Sequence, residues 1–234
     1  MASSSQVGVA PIALDRVSVQ LDGRSVLHDI SVELTASTIA VIGANGSGKS
    51  TFARLLNGLI APHSGAVRVH GYDTVHDRAA VRRLVGFVFT NPDAQILMPT
   101  PAEDLALSLR GRPKAEAAAR VREALDTNGL GAHAGAAAST LSGGQKQMLA
   151  LASVLIAQPR VIVADEPTTL LDLRNARRIG DLLLAQQAQA QVVVVTHDLD
   201  LAARCDTALL FDDGRIAASG EPARVIDAYR RSCA

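Results

Sequence analysis

Gly43-Ala44-Asn45-Gly46-Ser47-Gly48-Lys49-Ser50 fits the pattern G-x-x-x-x-G-K-[ST], that of a phosphate-binding loop. The pattern has meaning only between a strand and a helix. Here the apolar run Ile39-Ala40-Val41-Ile42 precedes it, and Phe52, Leu55, Leu56 and Leu59 come after it at i, i+3, i+4 and i+7, one face of a helix. Glycines let backbone N–H groups close around phosphate oxygens. A helix starting near Ser50 turns the positive end of its dipole toward the same charge. Lys49 is expected to reach the β- and γ-phosphates and the Ser50 hydroxyl to ligate Mg²⁺. Gly43, Ala44, Asn45, Gly46, Ser47, Gly48 and Thr51 complete the loop's share of the expected nucleotide-binding set.

Outward from this loop the chain reads as α/β. Residues 12 to 42 are strand-like: Val17, Val19 and Leu21 alternate with Ser18 and Gln20, and Asp22-Gly23 marks a turn. Val67-Arg68-Val69 and the run from Val85 to Phe89 suggest further strands. Val161-Ile162-Val163-Ala164 and Val192-Val193-Val194-Val195 are continuous apolar runs, which suit parallel strands buried on both faces. Ala208-Leu209-Leu210-Phe211 and Ile216-Ala217-Ala218 flank Asp213-Gly214, a hairpin signal. Between residues 91 and 145 alanine, leucine and charge replace the β-branched residues. Ala102 to Leu109 and Lys114 to Leu125 read as helices, and Thr127 to Ser139 as a mobile Gly/Ala-rich connection. Met148, Leu151, Ala152, Leu155 and Ile156 form another helical stripe, stopped by Pro159. The expected fold is a P-loop NTPase core with a mostly parallel sheet (residues 12–90 and 146–230), an antiparallel β subdomain and an inserted helical subdomain (91–145), with residues 1–11 a disordered leader.

Bulk properties narrow the function. The chain has 234 residues, 48% of them apolar, enough for one α/β domain. Its formal net charge is zero with no basic stripe, so nucleic acid is not an expected partner. No apolar run approaches the roughly 18 residues of a membrane span, so any membrane role comes through a partner. The N-terminus lacks the basic and apolar regions of a signal peptide. Cys205 and Cys233 have no metal-ligand spacing and read as reduced thiols.

A second constellation sits far from the loop in sequence. Asp165-Glu166 ends an apolar strand, and in an open α/β sheet that edge is where ligands bind. Asp165 is expected to hold Mg²⁺ through its water shell, and Glu166 to orient or deprotonate the attacking water. His197, after the next apolar strand, is placed to contact the γ-phosphate and that water. Ser142-Gly143-Gly144-Gln145 opens the helix that contains Met148, a second anion cradle with a hydroxyl. Two cradles and one nucleotide per chain point to a head-to-tail dimer in which the second cradle closes on the other subunit's ATP.

These elements, in this order, resemble the ATP-binding-cassette (ABC) ATPases from about Ile12 to Tyr229, and Leu141-Ser142-Gly143-Gly144-Gln145 sets that family apart from other phosphate-loop ATPases. The resemblance implies two ATP molecules sandwiched between two such domains, with Asp172 a dimer contact. It also implies an adenine-stacking aromatic near position 21, where this chain has Leu21, expected to bind the nucleotide by simple apolar contact with the base, and a glutamine at position 90 that links Mg²⁺ and water to a transmembrane partner, where it has Thr90. Gln95 is the candidate substitute in that coupling segment.

Val88-Phe89-Thr90-Asn91-Pro92-Asp93-Ala94-Gln95, then Pro99-Thr100 and Glu103-Asp104, is similar to the ATPase component of energy-coupling-factor importers, nearest the biotin branch. That implies a pair of ATPases, identical or not, peripheral at the cytoplasmic face of the plasma membrane. They would be bound to a transmembrane coupling protein that carries a substrate-binding membrane protein. Cobalt or nickel importers are the alternative within the group. A soluble ABC ATPase of iron–sulfur assembly is the alternative outside it.

Overall fold

The computed structural model describes residues 12–233. The leader assigned to residues 1–11 lies outside the described residues. The elements run β1 (Ile12–Leu21), β2 (Arg24–Leu34), β3 (Thr38–Gly43), α1 (Lys49–Leu56), β4 (Ser64–Val69), β5 (Tyr72–Asp73), α2 (Arg78–Leu84), β6 (Val85–Val88), α3 (Pro101–Leu107), α4 (Lys114–Thr127), α5 (Gly143–Leu155), β7 (Val161–Asp165), α6 (Leu173–Leu184), β8 (Gln191–Val195), α7 (Leu199–Ala202), β9 (Thr207–Asp212), β10 (Arg215–Gly220) and α8 (Pro222–Ser232). They form a six-stranded sheet in the order β10-β9-β3-β8-β7-β6 and a four-stranded sheet in the order β2-β1-β4-β5. In the larger sheet only β10 runs antiparallel, paired with β9 across the Asp213–Gly214 turn, and every pairing in the smaller sheet is antiparallel.

Every residue of β3, β7 and β8 is buried, because these strands are covered on both faces. Alternate residues feed different cores. Ile39, Val41, Val163, Val193 and Val195 meet Phe52, Leu55 and Leu56 of α1 and Ile12, Val19 and Leu27 of the smaller sheet. Ala40, Ile42, Ile162, Val192 and Val194 join Met148, Leu149 and Leu151 of α5, Ile179 and Leu183 of α6 and Ile226 of α8. The helix after the glycine loop is thus held between two sheets. Its Phe52 is fully buried with its ring centroid 5.0 Å from that of Phe211. Burying a side chain of that size contributes about 1.5–3 kcal/mol, so the loop's distal end is fixed by packing.

Strand register brings the site residues to one edge. Val41 pairs with Val195, and Val195 with Asp165, so the ends of β3, β8 and β7 lie side by side.

The helical block packs onto the core through Leu105 of α3 and Val121 and Leu125 of α4, in one cluster with Met148 and Leu149. The 127–139 connection, expected to be mobile, is instead pinned. Leu130 and Ala138 are buried, and the Ala138 and Ala102 N–H groups donate to the carbonyls of Pro99 (2.7 Å) and Ala134 (3.1 Å). These hydrogen bonds around the start of α3, with the buried Leu130 and Ala138, are what fix it.

Candidate functional site

The glycine loop is built by close approach. Gly43 ends β3 at φ 144°, and a Cβ there would lie 2.2 Å from the Phe211 carbonyl oxygen. Gly48 adopts φ 99° immediately before α1, and its Cβ would meet Leu27 Cδ2 at 2.6 Å. No L side chain fits either position. The loop curls around a cleft of about 270 Å³ lined by Val26, Asn45, Gly46, Gly48, Lys49, Ser50, Thr51 and Glu166.

Lys49 lies along the floor of this loop. Its Nζ donates to the carbonyls of Gly43 (2.9 Å) and Ala44 (2.8 Å). Burial lowers its pKa, opposed by the nearby Glu166 and Asp165 charges. Ser50 Oγ donates to Asp165 Oδ1 at 2.8 Å, closing the gap between the start of α1 and the end of β7. Asp165 is 1% exposed, and burial raises its pKa; the Ser50 hydrogen bond and the Arg54 guanidinium, 3.8 Å from Oδ2, work in the opposite sense.

The next residue, Glu166, is left-handed at φ 51°, an uncommon conformation for glutamate. Its N–H donates to the Val195 carbonyl at 2.9 Å. Its Oε2 lies 2.7 Å from His197 Nδ1 and accepts from Thr169 Oγ1 at 3.3 Å. A carboxylate only accepts, so His197 donates from Nδ1 and its Nε2 remains for a second partner. Lys49, Ser50, Asp165, Glu166 and His197 therefore converge on the edge formed by β3, β7 and β8.

The second cradle stands apart from that cleft. Ser142 caps α5 in a reciprocal box: Gln145 N–H donates to Ser142 Oγ (3.3 Å) and Ser142 N–H to Gln145 Oε1 (2.9 Å). Gln145 Nε2 lies 2.9 Å from His133 Nε2. Ser142 and Gly143 are exposed, and no residue from 142 to 145 lines the Lys49 cleft. Beside Gly144 stands Asn175: a Cβ on the glycine would lie 2.8 Å from its Nδ2. Asn175 in turn donates to both oxygens of Asp172, the α6 cap, from N (2.9 Å) and Nδ2 (2.7 Å). These bonds hold the Asp172 carboxyl below its ordinary pKa.

Three expected residues have placements that sequence alone left open. Leu21 lies at the tip of the β1–β2 hairpin, 37% exposed and outside the set that lines the cleft, whereas Val26 of β2 lies within it. Thr90 Oγ1 donates to the Asp165 carbonyl at 2.7 Å. Gln95 has both ends of its amide engaged, accepting from Phe89 N (3.1 Å) and donating to the Ala150 carbonyl (2.8 Å), so in this structure it braces the segment against α5. Sequence reasoning passed over Val26, Arg54 and Asn175. The signal for Asn175 was its place three residues after a capping aspartate; Val26 and Arg54 carry none.

A phosphate-type loop, a Ser–Asp pair and a Glu–His pair on one parallel-sheet edge define a nucleotide-hydrolysing α/β domain. The chain belongs to the ABC transporter family, whose model matches residues 27–169, and it is the ATP-hydrolysing component. It is 47% identical to a putative ABC transporter ATP-binding protein of Deinococcus radiodurans, over 94% of this chain and 97% of that one. It is 41% identical to the biotin transport ATP-binding protein BioM of Rhizobium etli, over 95% and 99%. It is 38% identical to the energy-coupling factor transporter ATP-binding protein EcfA1 of Lactiplantibacillus plantarum, over 90% of this chain and 77% of that one. Among solved structures, cbiO1 of Clostridium perfringens, part of the ABC transporter complex cbiONQ, matches with a TM-score of 0.80 at 28% identity, covering 92% of this chain and 90% of that one. A dimeric ATP-binding cassette in a post-hydrolysis state, bound to ADP and Pi, matches with a TM-score of 0.80 at 28% identity, covering 90% and 98%.

Proposed function

We propose that two copies of this chain, head to tail, hydrolyse ATP to energise an energy-coupling-factor importer whose cargo is biotin. The observation that carries the paired arrangement is the separation of the Ser142 cradle from its own chain's cleft. An exposed, capped helix N-terminus with glycine on its surface suits an anion brought by another molecule. The dimeric cassette among the structural relatives supports the same reading.

In each site Lys49 binds the β- and γ-phosphates, and the loop amides hold their oxygens. The donor set fits Mg²⁺: Ser50 and Asp165 offer hard oxygens 2.8 Å apart. Among the described residues no cluster of three His, Cys, Asp or Glu could hold a metal. A cation here would therefore take its remaining ligands from phosphate and water, as magnesium does. When bound, it neutralises charge on the triphosphate. Glu166 accepts the proton of the attacking water, and His197 holds that carboxylate in place through Nδ1. Ser142 contacts the γ-phosphate of the partner's nucleotide, and Asp172 lies at the seam.

Biotin as cargo and the energy-coupling-factor setting rest on the names of the BioM and EcfA1 relatives. The partners would be a transmembrane coupling protein and a substrate-binding membrane protein. Among the described residues no helix is long and apolar enough to cross a membrane, which is consistent with a peripheral subunit on the cytoplasmic face. Light scattering tests the pair: Glu166→Gln should be dimeric at saturating Mg-ATP and monomeric without it. Co-expression with the two membrane proteins and vesicle uptake of labelled biotin tests the cargo. A Glu166→Gln protein that stays monomeric would sink the paired site, and uptake that ignores Lys49→Ala would sink the coupling.

A further inference from the structure

We infer that Thr90 is a positioning residue for hydrolysis, acting through the peptide bond between Asp165 and Glu166. The β6–β7 ladder ends at Val88 and Ala164. Two residues beyond that end the Thr90 side chain takes over, donating from Oγ1 to the Asp165 carbonyl at 2.7 Å. On the other side of the same peptide the Glu166 N–H donates to the Val195 carbonyl at 2.9 Å. One peptide plane is thus gripped at both of its polar ends, from the β6 side by a hydroxyl and from the β8 side by a strand.

The grip bears directly on the catalytic carboxylate. Glu166 is left-handed at φ 51°, and a strained residue persists only where its surroundings over-determine it. Rotation of the Asp165–Glu166 peptide would swing the Glu166 side chain away from His197 and from the cleft. The hydroxyl is itself well anchored. Phe89, the residue before Thr90, is bonded at its N–H to Gln95 Oε1 (3.1 Å) and at its carbonyl to Gln147 Nε2 (3.3 Å). Gln95 reaches on to the Ala150 carbonyl, and Asp93 pairs with Lys146 at 2.7 Å. Thr90 therefore ties the helix that carries the Ser142 cradle to the chain's own hydrolytic carboxylate.

This inference rests on the proposed role of Glu166 as base, and the experiment separates the two. Thr90 is exposed, so replacing it leaves the core intact. Wild type, Thr90→Val, Thr90→Ala and Thr90→Ser are compared in steady-state ATPase assays, with Glu166→Gln as control. Loss of the hydroxyl should lower kcat about tenfold and leave KM for ATP within about twofold, as expected when a group matters only in the transition state. Thr90→Ser should restore kcat. In the nucleotide-free protein, NMR hydrogen exchange at the Glu166 amide should quicken in Thr90→Val and Thr90→Ala and stay at the wild-type rate in Thr90→Ser. Wild-type kcat in both Thr90→Val and Thr90→Ala, or failure of Thr90→Ser to restore a lost kcat, overturns the inference. An unaltered Glu166 amide in those two variants overturns it as well. If Glu166→Gln retains turnover, the base assignment fails independently, and the exchange measurement still reads the grip.

Discussion

Replacing Glu166 by glycine and by alanine should invert the usual order of stability. In a strand or helix interior alanine is favoured over glycine by about 0.5–1 kcal/mol, because glycine has more chain entropy to lose. Glu166 stands at φ 51°, where an L side chain meets the following carbonyl at a cost of about 1–2 kcal/mol and glycine meets nothing. Subtracting the entropy term leaves glycine ahead by roughly 0.5–1 kcal/mol. Both variants lose the same carboxylate, and with it the bonds to Thr169 and to His197, so those losses cancel in the comparison. Both keep the N–H bond to Val195. For a chain of this size the difference corresponds to about 1–4 °C in Tm. Thermal and urea unfolding of the nucleotide-free proteins measure it, with matched m-values confirming that both variants expose the same surface on unfolding. An alanine variant as stable as the glycine variant, or more so, would show that the left-handed conformation stores no strain. Neither variant should turn over ATP.

Mg-ATP at a hundredfold excess over Kd should stabilise the wild type by about 2.7 kcal/mol, a rise of several degrees in a thermal-shift assay, and Lys49→Ala should show no rise. Gly144→Ala and Asn175→Ala should each lower ATPase activity, and the double variant should be no worse than either alone. A Cβ at 144 displaces the amide that holds Asp172, so the two changes break one contact, and fully additive losses would count against it. Native protein should take up one maleimide per chain, at the exposed Cys233, and a second only in denaturant; burial pushes the Cys205 thiol up to about 12, so it carries no thiolate at neutral pH.

The contrast between what was readable and what was not comes from the range of the forces. The strand–loop–helix around Lys49 was legible because each piece is local: an apolar run, glycines where no Cβ fits, and a 3.6-residue stripe. The runs at 161–164 and 192–195 were legible as central strands because burial on both faces leaves no polar alternation. Helix α6 was passed over although Ile179, Leu183 and Leu184 line its buried face; the six residues before Ile179 bury nothing, so the stripe sits only in the second half of the helix. The 127–139 segment was misread for a related reason. Its composition suggests freedom, yet its order comes from hydrogen bonds to residues 99–102, which no local pattern reports. The same limit applies at the site. Residue type and strand position placed Asp165 and Glu166 at the end of β7, beside the glycine loop. The left-handed backbone at Glu166 and the Thr90 hydroxyl that grips the peptide before it arise from how β6, β7 and β8 end relative to one another. A departure from the family pattern at position 90 reads in sequence as the loss of a coupling glutamine. In three dimensions the shorter side chain makes a bond to the backbone beside Glu166, the proposed base. On the proposed role of Glu166, residue 90 stays connected to hydrolysis without contacting nucleotide or metal, because the Asp165 carbonyl already lies within reach of a threonine.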